Sequence, residues 1–154
     1  MSVEKATAKD VPELVKLRLA YLREDSGRPD DAETANIQKS LPDYFQKHLG
    51  QDLFAYVLRE AGQIVSCAFL LIVEKPMSPA FPNGLTGIVL NVYTRPSYRR
   101  KGYAKGVMTA LLSEAKEKGL SVVELKSTAD GYPLYKSLGF TEDAQYRLMK
   151  WVNK

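Results

Sequence analysis

Five of the eleven residues in Arg95-Pro-Ser-Tyr-Arg-Arg-Lys-Gly-Tyr-Ala-Lys105 are Arg or Lys. Their place matters as much as their number. The segment follows a strand-like run, residues 85–94, and leads into a helical pattern over 102–118. A helix N-terminus already carries about half a positive charge from its unpaired N–H groups, so cations there cost stability unless an anion joins them. Gly102 removes the Cβ that would hold a ligand off the backbone, and Ala104 is nearly as small. The N–H groups of residues 102–105 lie in the first helical turn and find no partner within the helix. Strand, basic small-residue turn and helix N-terminus together make a phosphate-binding arrangement. It is neither a Gly-x-x-x-x-Gly-Lys-Ser/Thr loop nor a Gly-x-Gly-x-x-Gly dinucleotide turn.

Few other residues invite a chemical reading. Tyr132 and Tyr135 are one helical turn apart and share a face. Asn91 and Tyr93 share a face of their strand by period-2 alternation, with Ile88, Leu90 and Val92 on the other. Cys67 sits in an apolar run and reads as a small core side chain. His48 comes near a helix end and reads as a surface residue. With one Cys and one His in the chain, a disulfide scaffold and a Cys/His zinc cluster are both excluded, so no metal is expected.

The elements that must position these residues can be read from spacing. A short strand is expected at 3–6. A helix follows from Asp10, which with Glu13 makes a capping box; Leu14, Leu17 and Tyr21 form its apolar stripe and Arg18 interrupts the neighbouring one. A polar loop, 22–31, precedes a second helix at 32–49, with a break or kink at Pro42. Strands are expected at 53–59 and 63–74, joined by a tight turn, then at 85–94 after a Pro-rich loop. Ala104, Val107, Met108, Leu111, Leu112 and Ala115 give the third helix its apolar face, and Gly119 ends it. A strand at 121–126, a short helix at 132–138 and a last strand at 146–152 complete the order β-α-α-β-β-β-α-β-α-β. This is an α/β (α+β) chain forming one domain over residues 1–154. The middle strand–helix–strand unit is a crossover, which joins parallel strands.

Composition narrows the partners. The 154 residues carry 22 basic and 18 acidic side chains, a net charge of +4. That favours an anionic partner but excludes a polycationic arm. The longest apolar run is about half the roughly 20 residues a bilayer needs, and the N-terminus lacks the apolar core of a signal peptide. A cytoplasmic location is expected, with no membrane partner. Nothing resembles a groove-reading helix or an aromatic platform, so no nucleic acid is expected.

Arg99-Arg-Lys-Gly102-Tyr-Ala104 resembles the Gln/Arg-x-x-Gly-x-Gly/Ala signature of the GNAT superfamily of acyl-CoA-dependent N-acetyltransferases. Asn91-Val-Tyr-Thr-Arg-Pro-Ser-Tyr98 resembles the strand and loop that lead into it. Leu134-Tyr135-Lys-Ser-Leu-Gly139-Phe140 resembles the family's second signature, Tyr-x-x-x-Gly-Phe. The two occur in the right order with a helix and a strand between them. The resemblance implies a mixed, mostly antiparallel twisted sheet flanked by helices, with acetyl-CoA as cosubstrate. It implies that the backbone of Arg100, Lys101, Gly102, Tyr103, Ala104 and Lys105 holds the pyrophosphate, with side chains of Arg99, Arg100 or Lys105 adding charge-assisted bonds. It implies that Val92, Tyr93 and Thr94 pair with the pantetheine arm, sheet fashion, and that an N–H of this strand polarises the thioester carbonyl.

The same resemblance implies direct transfer: a neutral amine attacks the thioester, and a tetrahedral intermediate collapses to an amide and CoA thiolate. Tyr135 stands where the family places its general acid. A phenol with a reference pKa of about 10 does not give its proton downhill to a thiolate of about 8.5, so it acts mainly as a hydrogen-bond donor to developing charge.

Two positions depart from the pattern. The strand before the signature turn carries no Glu or Asp, where many relatives keep a general base. Glu24 and Asp25 in the loop after the first helix, or a water chain through Asn91, are the replacements. Thr128 stands where relatives place an Asn that touches CoA, and keeps one hydroxyl for that contact. Tyr132 reads as a wall of the acceptor pocket. The acceptor is a small-molecule amine or a protein N-terminus, its determinants expected in residues 23–31 and 76–84. The resemblance alone would allow a homodimer. The missing strand acid favours a competing reading, a non-catalytic acyl-CoA-binding or regulatory module on the same fold.

Overall fold

The computed structural model describes residues 2–154. Five strands form one sheet in the order β1-β2-β3-β4-β5: β1 Val3–Lys5, β2 Leu53–Glu60, β3 Gln63–Glu74, β4 Leu85–Thr94 and β5 Val122–Glu124. Neighbours among the first four are antiparallel, and β4 pairs parallel to β5. The parallel pair is the one joined through a helix, since a parallel return needs a crossover. Helices α1 (Val11–Glu24) and α2 (Asp31–His48) cover one face, with Leu14, Leu17 and Phe45 buried against Leu53, Val57, Cys67 and Phe69. Helix α3 (Tyr103–Glu117) covers the other, with Val107, Met108, Leu111 and Ala115 buried against Tyr56, Ala68, Leu70 and Val89. The short α4 (Tyr132–Ser137) lies on this second side.

Three local expectations are corrected. The capping box at the start of α1 is made by Thr7 and Asp10 around a 3₁₀ turn rather than by Asp10 and Glu13. Asp10 is drawn there because it also holds Arg59 at 2.9 Å, and Glu13 instead accepts the Ile64 N–H at 2.7 Å. Helix α2 is not broken at Pro42 but runs through it as one element, capped by Asp30 with Glu33. Residues 146–152 form no strand. Tyr146, Leu148, Met149, Trp151 and Val152 are all exposed. Their apolar residues fall on both strand faces, which gives no one-sided surface to bury, and the adjoining β5 offers an edge of only three residues.

The feature that shapes the site lies in β4. Cys67 pairs with Tyr93 and Phe69 with Leu90, so Asn91 and Val92 together stand opposite Ala68. This is a β-bulge, with Asn91 in the left-handed region at φ 54°. The extra residue resets the alternation. Asn91 and Tyr93 share a face as expected, the one toward α1, but Ile88, paired with the α1-side Leu71, and Leu90, paired with the α1-side Phe69, lie there too; Val92 packs on the α3 side. Pairing between β4 and β5 ends at Ile88 and Glu124. From residue 89 to 94, β4 therefore keeps β3 as a neighbour but has no strand on its other edge, and the sheet opens into a cleft there.

Candidate active site

The basic turn closes one end of this cleft. Arg95 and Arg99 are fixed by the protein itself. The Arg95 guanidinium donates to the Ile64 carbonyl at 2.8 Å and approaches Glu13 at 3.9 Å. Arg99 donates to the Thr94 carbonyl at 2.8 Å and to both carboxylate oxygens of Glu24 at 2.8 and 2.9 Å. Beyond them the chain changes character. Arg100 (φ 63°) and Gly102 (φ 81°) are both left-handed, which turns the backbone into α3. A Cβ at Gly102 would meet nothing within 4 Å, so glycine is needed there for its conformation and for the open space above it.

Among the described residues, nothing accepts from the N–H groups of Arg100 through Lys105; the first helical bond is Gly106 N–H to the Gly102 carbonyl at 3.0 Å. Arg100, Lys101 and Lys105 have no carboxylate within 4.0 Å, and the Lys101 ammonium lies 5.4 Å from the centre of the Tyr98 ring. Tyr98 and Tyr103 stack beside them, the Tyr103 hydroxyl donating to Glu60 at 2.6 Å.

Tyr135 closes the α4 side. Its ring packs edge-on to Phe140, at 5.9 Å, and so close to Gly131 that a Cβ there would come within 2.7 Å of it. Burial, with the Tyr21 hydroxyl of α1 nearby, pushes its pKa up to about 12. At neutral pH the group is a proton-bearing donor. The Thr128 hydroxyl accepts the Gly131 N–H at 3.1 Å, and its carbonyl accepts the Tyr132 N–H, so Thr128 starts α4. Tyr132, Tyr135, Leu125, Phe81 and Phe140 line an open groove of about 1330 Å³. It runs along β5 and α4, and none of residues 95–105 lines it.

The α1 side is denser. Tyr93 is buried and its hydroxyl donates to Glu24 at 3.1 Å; desolvation first, and then this bond to Glu24, raise its pKa. Glu24 is thus held by an arginine and a tyrosine. Asp25 ends α1, its Oδ1 accepting the Ser26 N–H at 2.9 Å. Asn91 is buried, with its amide near the Cys67 thiol at 3.7 Å and its carbonyl oxygen atom Oδ1 accepting from Arg18 at 3.3 Å. Burial pushes the Cys67 thiol up to about 12, so it is inert at neutral pH. The structure therefore brings Tyr93, Glu24 and Arg99 into one cluster, while Tyr135 packs on the α3 side, close enough to the Tyr21 hydroxyl of α1 for the two to influence each other. Sequence reading treated Arg18 as a packing interruption and gave Tyr21 only a core role; their i, i+3 spacing with Asp25 beyond was the available signal. Among the described residues no three His, Cys, Asp or Glu side chains form a metal-binding group, and no helix is long and apolar enough to cross a membrane.

This architecture is that of an acyltransferase fold whose cleft lies between a splayed strand pair. A sequence model of the acetyltransferase (GNAT) family matches residues 13–140, and the chain belongs to that family. It is similar, at 29% identity, to the crystal structure of a predicted acetyltransferase with acetyl-CoA from Clostridium acetobutylicum, with a TM-score of 0.85 over 97% of this chain and 95% of that one. It is also similar, at 25% identity, to a GCN5-related N-acetyltransferase from Ralstonia eutropha JMP134, with a TM-score of 0.82 over 97% of each chain. No curated protein matches the sequence.

Proposed function

We propose that this protein is an acetyl-CoA-dependent N-acetyltransferase, acting as a single domain over residues 1–154, that acetylates a primary amine. The observation that carries the reading is the run of six backbone N–H groups, Arg100 to Lys105, with no acceptor of their own at the start of α3. A diphosphate fits such a run: it accepts several N–H bonds at once and neutralises the cations gathered there. The matched neighbour from Clostridium acetobutylicum was crystallised with acetyl-CoA, which supports the same ligand here.

Each residue then has a task. The N–H groups of 100–105 hold the pyrophosphate, and Arg100, Lys101 and Lys105 supply positive charge from side chains that no carboxylate neutralises. The unpaired edge of β4, including Val92, Tyr93 and Thr94, offers backbone groups to the pantetheine amides. Acetyl-CoA supplies the activated acyl group. Tyr135 donates a hydrogen bond to the sulfur as charge gathers on it; with a pKa near 12 it holds its proton and stabilises the anion rather than surrendering the proton. Arg99 serves the site indirectly, fixing Glu24 and, through it, Tyr93. Asp25 is the carboxylate near Tyr21 without a cation partner, and it attracts the acceptor's ammonium before the proton is lost to water.

The reading is tested by thermal shift and turnover together. Acetyl-CoA and free CoA at millimolar concentration should both raise the melting temperature, and an amine panel with thiol detection should show acetyl-CoA-dependent CoA release. No shift with either ligand would end the proposal. A shift without thiol release from any amine would favour the non-catalytic acyl-CoA-binding module instead.

A further inference from the structure

Arg18 is a partly buried cation on the acceptor side that, among the described residues, has no ion-pair partner. It is partly buried in the middle of α1, on a helix whose neighbouring positions Leu14, Leu17 and Leu19 are fully packed. Among the described residues no carboxylate lies within 4.0 Å of it, whereas Arg59 has two and Arg95 and Arg99 one each. Its single hydrogen bond is a long one, 3.3 Å, to the side chain of Asn91 at the β4 bulge. The guanidinium lies 5.8 Å from the centre of the Tyr21 ring, and its charge acts on the hydroxyls of both Tyr21 on α1 and Tyr44 on α2. It therefore stands where α1, α2 and the bulge converge, among hydroxyl and amide groups. A partly buried guanidinium without a counter-charge keeps its donors available to an anionic group. Five N–H donors meet only one acceptor there.

We propose that Arg18 binds an anionic group, a carboxylate or a phosphate, on the acceptor. The acceptor is then an amine with a negative charge at its other end. The proposal rests on the acetyltransferase reading and adds to it the class of substrate. The opposite end has its complement. Arg18, Tyr21 and Asp25 follow i, i+3, i+7 along one side of α1, which sets the Arg18 and Asp25 backbones about 10 Å apart. Asp25 faces the ammonium end, and the Tyr21 hydroxyl between them neighbours Tyr135. Of the other carboxylates bordering this region, Glu24 is neutralised by Arg99, and Asp52, whose charge acts on the Tyr44 hydroxyl, lies 2.8 Å from His48. A molecule with an amine and an anionic group separated by a few carbon atoms spans the two charges. Planar, bidentate recognition suits guanidinium better than ammonium.

The experiment uses matched acceptors with acetyl-CoA: 4-aminobutyrate against 4-aminobutanamide, and 3-aminopropyl phosphate against 3-aminopropanol. The anionic member of at least one pair should have a kcat/KM about tenfold or more above its neutral partner. The pair that shows the preference identifies carboxylate or phosphate. In Arg18→Gln that ratio should collapse to near one, through KM for the anionic acceptor, and Arg18→Lys should restore part of it. A wild-type ratio near one, or a ratio that survives Arg18→Gln, overturns the inference. Should Arg18→Gln fail to fold, inhibition of the wild-type enzyme decides. Butyrate or propyl phosphate must compete with a neutral amine while butyramide does not, and equal inhibition by all three overturns the proposal. Acetyl-CoA thermal shift is read in parallel. A shift with no charge preference removes the role of Arg18 and leaves the acetyltransferase reading intact; no shift and no thiol release removes both.

Discussion

Arg99 and Arg100 are adjacent in sequence and opposite in circumstance. Arg99 turns back toward α1, where Glu24 takes its guanidinium with two bonds. Arg100, left-handed and without a carboxylate within 4.0 Å, begins the run of unpartnered N–H groups. The boundary between them divides the site into two regions. Around Arg99, Glu24 and Tyr93 charges are paired within the protein and the geometry is held in place, Arg18 being the exception on α1. At the start of α3, charge and donors are left unsatisfied and exposed. An unpaired donor set in an otherwise paired structure marks where something else binds. Net charge could not have drawn that line, because both arginines count equally toward +4.

If the two regions have separate tasks, binding and turnover should separate by mutation. The largest effect is expected across the cleft from the turn. Tyr135→Phe removes the hydroxyl proposed to donate to the leaving sulfur while keeping the ring packed on Phe140. Its kcat should fall by roughly 100-fold, the low end for a lost proton donor. Its acetyl-CoA Kd, measured by calorimetry, should stay within twofold. A joint loss of affinity and turnover would show that the two regions are not separable.

The turn is broken from the other direction. Gly102→Val puts a β-branched residue at φ 81°, where a left-handed backbone costs about 1–2 kcal/mol. Relaxing that strain moves the N–H groups out of line, so acetyl-CoA Kd should weaken about tenfold or more with a modest loss of melting temperature. Smaller still is the contrast between the neighbours. Arg100→Ala should weaken acetyl-CoA a few-fold, less so as salt is raised, since exposed charges are screened. Arg99→Ala should leave that Kd nearly unchanged and act on the acceptor's KM, because it releases Glu24 and Tyr93. Equal effects of the two on Kd would erase the line drawn between them.

The same boundary explains what could be read in advance. The turn was legible because its requirements are local: Gly102, Ala104 and the cations around them constrain a few consecutive dihedrals and donors. So was the α3 face, whose Val107, Met108, Leu111 and Ala115 follow helical spacing. The pairing of Arg99 with Glu24, 75 residues earlier, was not legible, because it depends on how α1 meets the end of β4. The bulge at Asn91 was missed for a related reason. Period-2 alternation assumes one residue per step, and nothing in Leu-Asn-Val announces the extra one. The strand expected at 146–152 failed because apolar content was read without asking which edge would pair with it. A short edge such as β5 has few bonds to offer.

The weakest expected effect concerns protonation and tests whether Tyr135 belongs to the buried side of this division. Its pKa, raised to about 12 chiefly by burial, stands above the roughly 10 of the unfolded chain. The sign follows from linkage: the folded state keeps the proton longer, so the contribution to stability is complete below pH 10. It is lost as pH rises from 10 toward 12, where the unfolded chain ionises and the folded one does not. Other buried tyrosines behave alike, so the wild type must be compared with Tyr135→Phe. Between pH 8 and pH 11 the wild type should lose about 1 kcal/mol more than the variant in chemical denaturation. The rate carries the matching signature. Turnover should climb with pH as the acceptor amine deprotonates, with no descending limb from Tyr135 below about pH 11. A limb near pH 10 would mean that water reaches the hydroxyl freely, and that its environment resembles the exposed turn rather than the packed wall opposite.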